Sequence, residues 1–196
     1  MGRAWLLLGV MGSVGYSMEQ VPVGIEPGAH AYPVDSGSTS VPITLDDTAV
    51  LSSIAGAAFE TSAQYSKATR APYASTAAVG DDISEWVTAA ALATYDSISP
   101  TVTGSHASLP AGTTIVRQVL EPDGGVAKLT LMVKGPPGYN PDLGDWWFGE
   151  TDPSGTPLTS DAGVLMGRLS QCYSCHLTRN DDGYLFGVPS SDRVTD

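Results

Sequence analysis

Two cysteines and one histidine near the end of the chain carry its clearest chemistry. Cys172 and Cys175 are separated by two residues, and His176 follows directly. This C-x-x-C-H spacing is typical of c-type haem attachment, because each thiol can form a thioether to one haem vinyl group and the histidine can ligate the iron. The chain contains no other cysteine. The spacing therefore predicts one covalently bound haem with His176 as the proximal iron ligand.

The same residues have three other uses, which stay open as alternatives. A structural zinc ion needs four ligands, and outside the motif the sequence offers only His30 and His106 as further histidines. A thioredoxin-like redox pair would open a βαβ unit, and no parallel-sheet pattern surrounds this pair. A plain disulfide suits an exported protein but gives His176 no role.

The residues after the motif contain no ordinary second axial ligand for a haem iron. Residues 177–196 include no methionine, histidine, cysteine or lysine. The upstream candidates are Met132, Met166 and His106, each of which also suits an ordinary packing or surface role. We therefore expect a five-coordinate iron with one open face, which binds or transforms small molecules as well as moving electrons.

The first residues of the chain read as a secretory signal. Arg3 precedes an apolar run at residues 4–14, which is too short to span a hydrocarbon layer of about 30 Å as a helix. Gly15 and Ser17 provide small side chains at the positions that a signal peptidase inspects. The sequence predicts a signal peptide over residues 1–17 and a periplasmic or otherwise exported protein. A buried N-terminal helix is the alternative, although its several glycines would weaken it.

The rest of the chain divides into an arm and one domain. Residues 18–45 hold four prolines and show no periodicity, which predicts a flexible arm. Apolar residues then recur every three or four positions over 51–65, behind two aspartates at 46–47, which predicts a capped helix. We assign residues 46–196 to a single domain of ordinary size.

Later segments predict an antiparallel sheet. Residues 83–95 read as a short strand or turn and then an alanine-rich helix, with Thr88 as its candidate cap. Alternation with a period of two over residues 112–152 predicts a hairpin with its turn at 122–125 and a third strand at DWWFGETD. Helices before strands indicate an α+β fold, mainly antiparallel sheet with a few helices.

The net charge of the chain argues against nucleic acids and anionic membranes as partners. The chain has 9 lysines and arginines against 21 aspartates and glutamates, a net charge of −12. Such a surface repels phosphate backbones and anionic lipids. We therefore expect no nucleic-acid binding and no stable membrane insertion after signal cleavage.

Three stretches of the chain, within residues 83–187, resemble one known family. They carry G-T-x-x-V at 112–116, G-Y-N-P…G-D-W-W-F at 138–148, and N-D-x-x-Y-x-F at 180–186, soon after the C-x-x-C-H motif. The sequence resembles the cytochrome P-460 family and its relative cytochrome c-prime-beta. The resemblance implies a mainly antiparallel β domain with a c-type haem near the C-terminus and a five-coordinate iron with His176 proximal.

The resemblance also bears on two candidate catalytic residues. In the P-460 proteins a lysine on the strand after G-T joins the porphyrin, whereas this chain has Arg117 there. A guanidinium stays protonated and is a poor nucleophile, so a relative without the cross-link is the better match. Arg117 then pairs with a haem propionate or lies on the outer face of its strand. Glu150, on the strand face of Trp146 and Phe148, is a candidate pocket acid or a solvated strand-end carboxylate.

Together these features predict an exported mono-haem c-type cytochrome that transfers electrons or binds and detoxifies small nitrogen oxides. Its partners would be a small ligand at the iron and a redox partner protein. One alternative is a haem oxidoreductase that oxidises hydroxylamine or uses peroxide. The other is an exported domain without haem, stapled by a disulfide between Cys172 and Cys175.

Overall fold

The computed structural model describes residues 43–75 and 81–194. The predicted signal peptide at 1–17 and all but the last three residues of the predicted arm at 18–45 lie outside these ranges. Within them, no helix combines the length and the apolar character that crossing a membrane requires.

Seven strands of the described residues form one antiparallel sheet, which confirms the predicted α+β class. The strand bounds are β1 Tyr65–Lys67, β2 Tyr73–Ala74, β3 Asp82–Thr88, β4 Thr114–Leu120, β5 Val126–Lys134, β6 Trp146–Thr151, β7 Thr159–Ser160, β8 Gly163–Val164 and β9 Met166–Gly167. The sheet order is β1-β3-β4-β5-β6-β9, and β2 also pairs with β3, while β7 and β8 form a separate hairpin. The helices are α1 Asp47–Gly56, α2 Leu92–Asp96 and α3 Ser170–His176, with 3-10 turns at Ala89–Ala91, Pro141–Leu143 and Leu177–Asp182.

The sheet separates two hydrophobic cores, because successive side chains of a strand point to opposite faces. The motif-side core contains residues from three strands of the sheet, from the segment after α2 and from the C-terminal segment, among them Val87, Ile98, Ile115, Trp146, Phe148 and Leu185. The α1-side core lies under the first helix and includes Ile54, Trp86, Val116, Leu131 and Trp147. The hairpin and the third strand are where the sequence predicted them, and their alternation decides which side chains face the motif.

Helix α1 begins as predicted and ends early. The Asp46 carboxylate accepts a hydrogen bond from the Ala49 amide at 3.0 Å, which is an ordinary N-cap. The prediction of one helical face over residues 51–65 was wrong beyond Gly56. Ala58 adopts a left-handed φ of 46°, which ends the helix, and Tyr65 already belongs to β1.

The strand or turn predicted at the start of residues 83–95 is present as β3, and the predicted helix after it is short, a 3-10 turn followed by α2. Thr88 occupies the N-cap position of the 3-10 turn, but its side chain makes no capping hydrogen bond. Its hydroxyl instead accepts a hydrogen bond from the Thr114 amide at 2.9 Å and so ties the end of β3 to β4. Tertiary pairing therefore overrides the local capping signal.

Candidate haem site

The C-x-x-C-H motif lies on helix α3, beside a cavity of about 240 Å³. Residues three apart on a helix share a face, and Cys172 and Cys175 both line this cavity together with His176. Strands β4, β5 and β6 form the facing wall with side chains that include Arg117, Thr130, Met132, Phe148 and Glu150. The structure thus brings the three motif residues and both candidate catalytic residues to one cavity.

The His176 ring is held in one orientation. Its Nδ1 atom lies 2.6 Å from the backbone oxygen of Tyr184, and the rings of Phe148 and Phe186 lie 5.1 and 5.5 Å from its own. Because a carbonyl oxygen can only accept, Nδ1 carries the proton and Nε2 keeps a lone pair. Burial lowers the pKa of His176, which favours the neutral imidazole that metals bind.

The two cysteines are free thiols in the structure. Burial, together with the nearby Glu150 charge, raises the pKa of Cys172 to about 12. Thioredoxin-like pairs have an activated thiolate of low pKa, so this environment does not suit that alternative. Within residues 43–75 and 81–194, no three His, Cys, Asp or Glu side chains come together to hold a metal ion, and His30 of the zinc alternative lies outside these ranges.

The segment after the motif folds back over the histidine. Arg179 and Asp182 form a buried ion pair at 3.0 Å, and the Asp182 carboxylate also accepts the amides of Gly104 and Ser105 at 3.0 and 2.8 Å. Arg179 further donates to backbone carbonyls of the 99–102 loop. These contacts hold the returning chain in place, so that the Tyr184 carbonyl meets the imidazole.

A relay of hydrogen bonds fixes α3 to the sheet. The Tyr173 hydroxyl donates to the Asn140 side-chain oxygen at 2.8 Å, and the Asn140 amide donates to the Trp146 carbonyl at 2.8 Å. The Trp146 indole in turn donates to the Gly183 carbonyl at 2.8 Å. Trp146 and Trp147 are both fully buried, and each packs in one of the two cores.

Arg117 lies in the cavity wall, in a buried ion pair that sequence reasoning missed. Its Nε and Nη2 atoms lie 2.6 and 2.5 Å from Oε1 of Glu85, whose side chain is fully buried. The Tyr95 hydroxyl donates to the other carboxylate oxygen of Glu85 at 2.6 Å. Burial and the Glu85 charge raise the pKa of Tyr95 well above its usual range, so this hydroxyl keeps its proton.

Glu150 lies at the rim of the cavity in a second ion pair. Its carboxylate is 2.7 Å from the ammonium of Lys128, and the two side chains are 24% and 36% exposed. Glu150 is therefore both a cavity residue and a partly solvated carboxylate. Lys128, which also lines the cavity, was not among the sequence candidates.

The three upstream candidates for a second axial ligand lie in different places. Met132 lines the cavity that contains His176. Met166 belongs to β9 and packs against the α1-side core, and His106 is exposed in a loop. Met132 is the candidate that the fold brings to the motif.

Comparison of the chain with protein-family models, with curated proteins and with solved structures finds no match. The case for a function therefore rests on the chemistry of this cavity and on the sequence motifs.

Proposed function

We propose that this protein is an exported mono-haem c-type cytochrome of the P-460 type, with haem bound through Cys172 and Cys175 and ligated by His176. The observation that carries the proposal is the hydrogen bond from His176 Nδ1 to the Tyr184 carbonyl, beside two thiols that face the same cavity. A histidine that binds a metal through one ring nitrogen commonly donates the N–H of its other ring nitrogen to a backbone carbonyl in this way. When bound, the haem supplies an iron that exchanges single electrons or binds a small molecule.

The donor set and the cavity wall suit this group. Ile115, Met132 and Phe148 line the cavity, are direct neighbours in register across β4, β5 and β6, and form an apolar row. Phe148 also contacts the His176 ring. Such a row offers a flat apolar surface to a macrocycle and excludes water from it.

The charge of Arg117 bears on whether the protein is more like a P-460 enzyme or like cytochrome c-prime-beta. The Arg117 guanidinium is paired with Glu85. Burial lowers the pKa of Arg117, but the charge of Glu85 together with Tyr95 and Tyr73 outweighs burial, so that the pKa is raised. A permanently charged arginine cannot replace the cross-linking lysine of the P-460 enzymes. This supports a c-prime-beta-like role in electron transfer or in binding small nitrogen oxides.

A second candidate function, oxidation of hydroxylamine or use of peroxide, is favoured by one observation. Glu150 lines the cavity and lies beside Lys128, where it could accept or donate a proton during turnover. If this function holds, Glu150→Gln reduces turnover and leaves haem content unchanged. If the protein is only a carrier or a ligand binder, no hydroxylamine-dependent reduction of an acceptor is measurable in either form.

The decisive experiment is production in the periplasm of a host that matures c-type cytochromes. We expect the intact protein to gain the mass of one haem and to give a c-type pyridine haemochrome spectrum. Cys172→Ser with Cys175→Ser abolishes the covalent haem, whereas Ser174→Ala, between the two cysteines, retains it. His176→Ala alters the axial ligation. A colourless wild-type protein from such a host contradicts the proposal and leaves the disulfide-stapled domain.

A further inference from the structure

A buried ion pair in the cavity wall has no role in attaching haem. Glu85 is fully buried and Arg117 is 20% exposed, with its exposed part at the cavity. Replacing a buried ion pair by apolar residues is often neutral or stabilising, so such a pair contributes little that apolar packing could not supply. Ionisable networks at a cavity are candidates for a functional role.

The geometry leaves part of the arginine uncommitted. Both contacts to Glu85, from Nε and from Nη2, use the same carboxylate oxygen, and the Tyr95 hydroxyl holds the other one. A guanidinium has five N–H donors in a rigid plane. In the part of the chain that the structure describes, no acceptor meets Nη1 of Arg117. The ion pair therefore fixes the arginine by one edge and leaves the other edge available.

The neighbouring side chains add further donors. Thr130 is the direct cross-strand partner of Arg117 on the same sheet face, and it also lines the cavity. Lys128 lines the same wall and is engaged by Glu150 through one contact of 2.7 Å. Among the described residues, the free groups at this wall are the Nη1 edge of Arg117, the Thr130 hydroxyl and the remaining N–H groups of Lys128, which are donors, and the second oxygen of Glu150, which is an acceptor. Such a wall suits a ligand with several acceptor oxygens.

We propose that Arg117, positioned by Glu85 and Tyr95, binds the paired oxygens of a small planar oxyanion or carboxylate in this cavity. This inference rests on the proposed haem function. A guanidinium presents two parallel N–H groups to such a ligand, and its charge strengthens both hydrogen bonds. The oxygens have two sources, a propionate of the bound haem or a free anion such as nitrite at the open face of the iron.

The test uses the haem-loaded protein with a double variant, Glu85→Gln with Arg117→Gln. It removes both charges together, so that neither is left buried alone. Two quantities are measured, the Kd of nitrite for the ferric protein and the midpoint potential of the iron. Carbon monoxide binding to the ferrous protein reports on a neutral ligand, and Lys67→Gln removes an exposed cation from β1 as the matched control.

If a free anion is the ligand, nitrite binds at least about tenfold more weakly to the double variant, the loss expected for one charged hydrogen bond. Carbon monoxide affinity is unchanged. If a haem propionate is the ligand, the midpoint potential falls, because an unpaired negative charge favours ferric iron, and nitrite affinity is unchanged. Both results support Arg117 as an oxyanion ligand and identify the source.

Tyr95→Phe tests the positioning role, because it keeps both charges and removes only the hydroxyl that holds Glu85. Tyr95→Phe should change the same quantity as the double variant, either the Kd of nitrite or the midpoint potential, by a smaller factor. Lys67→Gln should change neither quantity. If neither nitrite affinity nor midpoint potential changes in a haem-loaded double variant, the inference is wrong. Absence of haem from the wild-type protein would instead overturn the proposed function, so the two failures are distinguishable.

Discussion

At the scale of single residues, two carboxylates without solvent exposure each face an arginine. Glu85 pairs with Arg117 in the cavity wall, and Asp182 pairs with Arg179 in the segment that covers His176. Breaking a buried pair by removing one partner costs more than the pair contributes over an apolar substitute, since the other charge is left unpaired. These positions should therefore respond strongly to substitution.

The Asp182 carboxyl makes the free energy of unfolding depend on pH. Burial raises the pKa of this carboxyl, but hydrogen bonds from Ser105 and Gly104 and the Arg179 charge outweigh this and lower the pKa from its usual value. A lowered folded-state pKa contributes stability that is present above the unfolded value and is lost as the pH falls through the folded one. Asp182→Asn should lower the free energy of unfolding at neutral pH by about 3 kcal/mol.

The measurement is urea unfolding of wild type and variant between about pH 5 and pH 2. The difference between the two proteins should shrink as the pH falls, because acid removes from the wild type the charge that the variant lacks. Asp181→Asn, at the exposed neighbouring residue, is the control and should show a small, constant difference. A difference for Asp182→Asn that does not change with pH would contradict this assignment.

The Glu85–Arg117 pair could not be predicted from the sequence, whereas the C-x-x-C-H motif could. The C-x-x-C-H motif is visible because its residues are adjacent, and the proposed haem attachment requires that spacing. The Glu85 pair joins residues on strands whose register only the folded sheet defines. An acidic residue in a strand ordinarily indicates a solvent-facing position, so nothing local in β3 marked Glu85 as buried.

At the scale of elements, the turn after the motif positions the histidine. Gly183 has φ = +66°, and a Cβ atom there would lie 2.6 Å from the Ala107 carbonyl oxygen. The next residue, Tyr184, carries the carbonyl that holds His176. Gly183, the residue before this contact, thus combines a left-handed backbone with a close approach to another backbone segment.

Gly183→Ala should therefore displace the turn. Gly124→Ala is the matched control, because Gly124 also has a positive φ, +87°, but open space around a new Cβ. In both variants an alanine in the left-handed region costs about 1 to 2 kcal/mol of stability. Gly183→Ala should lose more than the control in urea unfolding and should also alter the axial-ligand signals of the ferric protein. Equal losses with unchanged spectra would show that the turn does not position His176.

Elements were predictable where a pattern repeats within one segment. Alternation identified the hairpin and the third strand, and the faces it assigned are those of the two cores. Helix ends were not predictable, because a left-handed Ala58 ends α1 and pairing with β4 occupies the hydroxyl of Thr88. The contacts that decide these ends come from chain geometry and from a distant strand.

At the scale of the whole described domain, one sheet separates two cores with different roles. The motif-side core packs against Cys172 and Tyr173 of α3, whereas the α1-side core contacts neither. Another cavity, of about 310 Å³, lies on the α1 side, and neither cysteine nor histidine lines it. Stability is therefore shared by both faces, while the proposed chemistry belongs to one.

This division predicts that stability and haem environment can be changed separately. Ile54→Ala and Ile98→Ala remove the same atoms from residues that are 3% and 0% exposed, in the α1-side and motif-side cores respectively. Each should reduce the free energy of unfolding by about 2 to 5 kcal/mol. Only Ile98→Ala should shift the absorption spectrum and the midpoint potential of the haem-loaded protein, because Ile98 belongs to the core that packs against α3. Matching spectral shifts in both variants would mean that the sheet transmits packing changes between its faces and that the two cores act as one.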